Sequence, residues 1–297
     1  MRSFRLGACI AAVLLAVGPT AGCSGCGKSK GPEKEAAQPL TELSVKKVAQ
    51  DLSQPDPNAA FWNDVPAGSV KLTAQPMIAP RPETLTTDLI AVQAVHDGTH
   101  VAFRLQWKDT EKSEAGHLGE FSDALALEFP ASDGPVPPVM MGAKDMPVHL
   151  FHWRAQYQRD QEQGKPTMEM LYPHKSTDMY PLEFKDIEGG TPADREKFSP
   201  GVAEGNPQSY AKKGVDEIIA EGFSTSAVQQ GHGSAAHGEW KDGEWSLVIV
   251  RPLVIEGGST LKAGTKGNIA FAVWQGGKGE VGSRKCLTMQ WYPVNIL

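Results

Sequence analysis

The chain is poor in the features that would assign it quickly. The apolar run from Ala8 to Val17 is too short to cross a bilayer, which takes ~20 residues. Basic residues form no run and do not interleave with aromatics, and the net charge is −6, which argues against a nucleic-acid partner. No His-Glu-x-x-His and no Gly-x-Ser-x-Gly occurs, so neither a zinc peptidase nor a serine hydrolase is supported. The glycines over 276–282 lack a following Gly-Lys-Ser/Thr and form no phosphate loop. There is no internal repeat.

Cysteine is scarce, at four residues. Cys23 and Cys26 have the Cys-x-x-Cys spacing of a disulfide or redox pair, but Gly27 follows Cys26, which excludes a c-type haem attachment site. Their position favours another role. Arg2 and Arg5 precede the short apolar run, and Gly18 to Cys23 is a small-residue stretch, the pattern of an export leader. Ala21-Gly22-Cys23 resembles a bacterial lipoprotein box, with cleavage after residue 22 and a lipid on Cys23. Thr20 departs from that pattern, which usually has Leu there. Loss of Arg2 and Arg5 with no acid would take the net charge from −6 to −8. Cys26 and Cys286 would then be left in an oxidising compartment, where they could pair.

What the chain does have is globular composition: 297 residues, 40% hydrophobic and 22% charged, enough for one large β domain or two modest ones. Residues 23–40 are small, charged and Pro-containing, and read as a flexible tether; ordered structure is expected from about Thr41. Leu43 to Val48 alternates as an edge strand does. Phe61-Trp62 reads as an aromatic plug in a loop, and Val70 to Ala74 as a short strand. Leu89–Val95 and His100–Trp107, joined at Asp97-Gly98, form the clearest hairpin, with Val101, Phe103, Leu105 and Trp107 on one face. A second hairpin turns at Asp242-Gly243, between Trp240 and Trp245. Ile269–Trp274 and Leu287–Trp291 are the last strands. Residues 154–210 read as a long excursion with short helices, Val215 to Glu221 as a helical turn, and His232 to Gly238 as a flexible Gly/His loop. Many short strands and Asp-Gly turns predict one all-β domain over 41–297. The expected fold is an antiparallel β-sandwich, immunoglobulin-like or DOMON-like, with long loops and a few short helices.

The stretch from Phe121 to Trp153 carries the most information. Ala124 to Phe129 is a buried strand ending at Pro130, and Asp133-Gly134 with Pro135, Pro137 and Pro138 forces an irregular loop. That loop presents Met140, Met141 and Gly142 before a second strand, Pro147 to Trp153. Taken alone, the methionines are core filler. The runs Asp-Ala-Leu-Ala-Leu-Glu-Phe-Pro (123–130), Met-Met-Gly (140–142) and Pro-Val-His-Leu-Phe-His-Trp (147–153), with His96 to Asp109, resemble the haem-binding gamma subunit of the ethylbenzene dehydrogenase family. In that family the gamma subunit serves periplasmic molybdenum enzymes. The resemblance spreads over roughly residues 42–297.

The resemblance implies one haem b with two axial ligands. Met141, just before Gly142, is the first, with Met140 as the alternative because a slip of one residue exchanges which side chain points inward. The family's second ligand is a lysine near the C-terminus; Lys285 occupies that position, and Lys278 is the runner-up. Without the resemblance either lysine reads as solvated. An amine ligand must be neutral, so its pKa must fall from ~10.4. His149, His152 and Trp274 complete the cofactor-binding candidates; the two histidines, three apart on a strand, face opposite sides. His232 and His237 could bind a metal, though two histidines are a weak pattern.

The function implied is that of a periplasmic, lipid-anchored b-type cytochrome domain, not itself an enzyme. It would carry single electrons between a redox enzyme, such as a molybdoenzyme with an iron–sulfur subunit, and a c-type cytochrome. The alternative is a lipoprotein sandwich without iron, its seven Trp and five Tyr lining a site for a carbohydrate or another apolar ligand.

Overall fold

A computed structural model describes residues 37–114, 117–132, 134–164, 166, 168–174, 204, 214–229 and 231–297. The leader, Cys23, Cys26, most of the tether and much of the 154–210 excursion lie outside the described residues. The strands are β1 (Gln38–Pro39), β2 (Leu43–Lys47), β3 (Gly68–Lys71), β4 (Thr73–Ala74), β5 (Leu89–His96), β6 (His100–Lys108), β7 (Ala124–Pro130), β8 (Val148–Arg154), β9 (Val215–Ala220), β10 (Ala227–Val228), β11 (Ala235–Lys241), β12 (Glu244–Pro252), β13 (Lys266–Trp274), β14 (Cys286–Leu287) and β15 (Tyr292–Ile296). Two helices, α1 (Ala155–Gln163) and α2 (Met168–Leu171), follow β8.

Hydrogen bonding runs continuously in the order β10-β9-β8-β7-β13-β15-β2-β5-β6-β12-β11. This path doubles back on itself, so that β7 and β8 face β6 and β12 across one core. The aromatic contacts make the point. Phe103 on β6 lies 5.6 Å from Phe129 on β7, and Trp153 on β8 lies 6.2 Å from Trp107 on β6 and 5.0 Å from Trp245 on β12, centroid to centroid. All five rings are buried. Truncating one such ring to alanine costs about 3–5 kcal/mol, so these inward rows hold the two layers together.

The turns form where sequence chemistry demands them. In the β5–β6 hairpin the Asp97 carboxylate accepts the N–H groups of Thr99 and His100, both at 2.7 Å. In the β11–β12 hairpin Asp242 and Gly243 both have positive φ, 53° and 82°, as a two-residue turn matched to strand twist requires. Trp62 is buried over the outer side of β5, β6 and β12 against Val95, Ala102, Val248 and Val250, so the aromatic plug is real.

The all-β sandwich is what the sequence implies, with five local differences. Leu43–Lys47 is not an edge: β2 lies between β15 and β5 and is parallel to both. Its alternation reports one-sided burial, which an interior strand of a one-faced sheet shares. Val215–Ala220 is a strand, not a helical turn, because β8 and β10 pair with it on either side. His237 and Gly238 belong to β11 rather than to a loop. The final strand breaks after Leu287 and resumes at Tyr292. Order also begins slightly before Thr41, since Gln38 pairs with Gly68.

Candidate functional site

Strand alternation creates the site. On β7 and β8 the residues Leu125, Leu127, Phe129, Phe151 and Trp153 turn into the core. The intervening residues Ala124, Ala126, Glu128, Leu150, His152 and Arg154 turn to the other side of the same sheet. Pairing aligns Ala126 with His152 and with Ala272 of β13, and Glu128 with Leu150. Small side chains at 124, 126 and 272 leave a low floor there. Four segments rise around it: the loop bearing Met140 and Met141, residues 223–228, Gln75 to Ile78, and Gly282 to Leu287. The result is a cleft of about 450 Å³, within the usual size of small-molecule sites.

Met140, Met141, His152, Trp274 and Lys285 all line this cleft. His149 does not, because period two turns it to the other face of β8. There it is fully buried, its Nδ1 accepting the Ser259 N–H at 3.2 Å and its Nε2 3.6 Å from the Glu217 carboxylate. Lys278 is exposed in a short turn over Gly276–Lys278 and is not part of the lining. His232 meets Glu217 on the His149 side, and His237 meets Glu162 and Glu239, so these two histidines share no site. Cys286 is a buried free thiol 3.2 Å from Thr86 Oγ1, and Cys26 lies outside the described residues.

The methionine loop is unusual in its backbone. Met140, Met141 and Gly142 have φ of 79°, 73° and 67°. For a residue with a Cβ, left-handed backbone costs about 1–2 kcal/mol, so external bonds must hold the two methionines there. Glu128 accepts the Met141 N–H at 2.8 Å, Gly222 donates its N–H to the Met141 carbonyl at 2.6 Å, and Ala143 and Met146 pair with each other. Glycine is required at 142, where a Cβ would come within 2.5 Å of the Met146 carbonyl oxygen.

The electrostatics favour neutral groups. Burial pushes the Lys285 amine below the ordinary lysine range, and the Glu128 carboxylate pulls it partly back. Its Nζ lies 4.9 Å from the Trp274 ring centroid. Burial, with Arg154 and Lys285 nearby, holds His152 well below its usual pKa. Its ring sits 4.9 Å from Trp274, and its Nε2 is buried without a hydrogen-bond partner. Burial lifts Glu128 to about 7, against the Met141 N–H and Lys285, which oppose the rise. A second, more polar cavity of about 330 Å³, between residues 129–136 and 258–268, contains none of the predicted site residues.

Sequence reasoning did not single out Glu128 or Arg154. Glu128 was visible as the one charge inside the apolar run Ala124 to Phe129. Arg154, at the end of β8, carried no comparable sign.

The sequence model described as ethylbenzene dehydrogenase matches residues 59–286. The chain belongs to this family. Among curated proteins, the chlorate reductase subunit gamma of Ideonella dechloratans is 25% identical over 93% of this chain and 92% of its own length. The dimethylsulfide dehydrogenase subunit gamma of Rhodovulum sulfidophilum is 24% identical over 80% of this chain and 73% of its own. A Haloferax mediterranei protein with a provisional name, respiratory nitrate reductase heme subunit, is 24% identical over 88% of this chain and 75% of its own. The family match spans the methionine loop and reaches Lys285, so it contains the whole lining of the cleft except Leu287.

Proposed function

We propose that this chain is the haem-binding, electron-carrying subunit of a redox enzyme complex, with one haem b in the cleft between the methionine loop and Lys285. One observation carries the reading: the thioethers of Met140 and Met141 and the amine of Lys285, from distant parts of the chain, line a single cleft. The cleft's own chemistry fits the group. Its floor is small and apolar, its donors are a soft thioether and an amine shifted toward neutrality, and an imidazole with an unpartnered buried nitrogen lines the same space.

Met141 and Lys285 would hold the iron, His152 and Trp274 would flank the ring, and Arg154 offers a cation for its carboxylates. When bound, the haem supplies one-electron iron chemistry; thioether ligation favours the reduced state and raises the potential. Lys285 can donate only as the neutral amine, which burial promotes. Two protein donors to the iron would suit a carrier, whereas substrate chemistry needs an open coordination position.

The relatives named for reductase and dehydrogenase subunits support a partner that does the substrate chemistry; resemblance to the gamma subunits points to a molybdoenzyme. The leader and Cys23 support export to the periplasm and a lipid anchor. Among the described residues no helix is long and apolar enough to cross a membrane. Cys23→Ala should move the protein from the membrane fraction to the soluble periplasmic fraction; unchanged membrane retention would remove the anchor.

The test is a pyridine haemochrome assay with a reduced-minus-oxidised spectrum on exported, haem-supplemented protein. Sharp low-spin bands and about one haem b per chain are expected, lost in Met141→Ala and in Lys285→Ala. Loss in Met140→Ala instead would reassign the thioether. A folded, colourless wild-type protein would overturn the reading and leave the iron-free sandwich.

A further inference from the structure

Glu128 is out of place by composition. It lies in the middle of β7, flanked by Leu127 and Phe129, and is nearly inaccessible to solvent. The β-ladder does not need its side chain, since the backbone pairings of residue 128 with Leu150 and Ala270 are independent of it. A buried carboxylate is unfavourable unless something compensates for its lost hydration. Here the compensation comes from the cleft. One carboxylate oxygen accepts the Met141 N–H, and the Met140 N–H also faces the carboxylate. The Lys285 amine lines the same narrow space above β7, beside Glu128, Met140 and Met141.

The other bonds that hold the loop do not do the same thing. The Gly222 N–H comes from another loop, and the Ala143–Met146 pair is internal to the methionine loop. Among the described residues, the Glu128 bond is the one that joins the left-handed Met140–Met141 backbone to a strand of the sandwich itself. Without it, what remains is the Gly222 bond and the packing of the Met141 side chain on Val148, Leu150 and Ala220, and relaxation of the two methionines to ordinary backbone would swing both thioethers.

We propose that Glu128 is a positioning residue for the methionine loop, tying the backbone at Met140 and Met141 to β7 so that a thioether faces the cleft opposite Lys285. The proposal rests on the haem reading for its purpose but not for its test. Glu128→Leu keeps the buried volume and removes the acceptor, leaving the Met141 N–H unpaired and Lys285 without its counter-charge, so a loss of stability local to the loop is expected. Glu128→Gln keeps an acceptor oxygen in place.

The first measurement is amide hydrogen exchange of residues 139–142 in the haem-free full-length protein. Glu128→Leu should exchange there at least about tenfold faster than wild type, with the rest of β7 and β8 unchanged, and Glu128→Gln should stay close to wild type. The second is the visible spectrum after haem loading: Glu128→Leu should lose the low-spin bands, and Glu128→Gln should recover them. Unchanged exchange over 139–142 in Glu128→Leu overturns the proposal, as does failure of Glu128→Gln to restore both readouts. Wild-type protein that takes up no haem would sink the functional reading alone, because the exchange experiment decides the role of Glu128 by itself.

Discussion

His149 and His152 sit three residues apart on β8 and serve opposite sides of one sheet. His149 is fully buried, between the Ser259 backbone N–H and the Glu217 carboxylate. His152 lines the cleft against Trp274, and its Nε2 is buried without a partner. Their substitution should separate stability from cofactor binding. His149→Ala leaves the Ser259 N–H unpaired and takes one partner from the Glu217 carboxylate, and should lower the unfolding free energy by about 3 kcal/mol. His152→Ala removes no hydrogen bond and should change it by less than about 1 kcal/mol, while weakening haem retention. Urea unfolding of the haem-free proteins and haem titration check the pair. Equal loss of stability in both would contradict the two-sided placement.

Much of this was legible before any coordinates. Alternation and Asp-Gly turns identify both hairpins, and the Pro-rich loop before Met140 is visible as a break between two strands. Period-two geometry states that His149 and His152 diverge, though not which one faces the cleft; that depends on which face of β8 meets β6 and β12. Pairing partners were less legible. Leu43 to Lys47 carries no mark that it lies between β5 and β15, because strand neighbours far apart in sequence leave no local pattern. Val215 to Ala220 is a short apolar run of the kind that suits helix and strand equally, and only β8 beside it decides. The left-handed backbone at Met140 and Met141 was invisible, since neither residue favours it and the bonds that impose it come from Glu128 and Gly222.

Gly142 provides a test of how tightly the loop is specified. Gly142→Ala sets a Cβ 2.5 Å from the Met146 carbonyl oxygen at a residue with φ of 67°. Gly279 has a similar φ, 76°, but open space around the new Cβ. The Gly279→Ala change should therefore cost about 1–2 kcal/mol for backbone alone. Gly142→Ala should cost more, about 2–4 kcal/mol, because a steric clash adds to the same backbone term, and it should also diminish the low-spin haem bands. Thermal unfolding of both variants, with a spectrum of each after haem loading, checks the comparison; equal costs would mean that the loop yields freely at Met146.

The buried cluster behind β8 predicts acid sensitivity. Burial alone would raise the Glu217 carboxyl, but the polar neighbours His149, Ser234 and His232, the last bonding it through its backbone N–H at 2.9 Å and its ring at 2.6 Å, outweigh burial and bring the pKa down to about 2. A depressed carboxyl pKa contributes stability that is present above the unfolded value of ~4.3 and is lost as pH falls toward the folded one. His149 works in the same direction. Burial holds its pKa below the usual ~6.5, so the unfolded chain binds this proton first and stability begins to fall below about pH 6.5. The His149 contribution to the unfolding free energy should thus decline gently from pH 7 to 5 and the Glu217 contribution more steeply from pH 4.5 toward 2, by up to about 3 kcal/mol. Glu128 and Asp123 act against this decline: burial lifts their carboxyls to about 7, so they gain stability as pH falls from 7 toward 4. Glu217→Gln should be less stable at pH 7 and should flatten the steeper limb, while leaving the His149 limb in place. Chemical denaturation midpoints across this range decide it: a wild-type profile that stays flat below pH 4.5 would show that the Glu217 carboxylate is not held by its histidine partners.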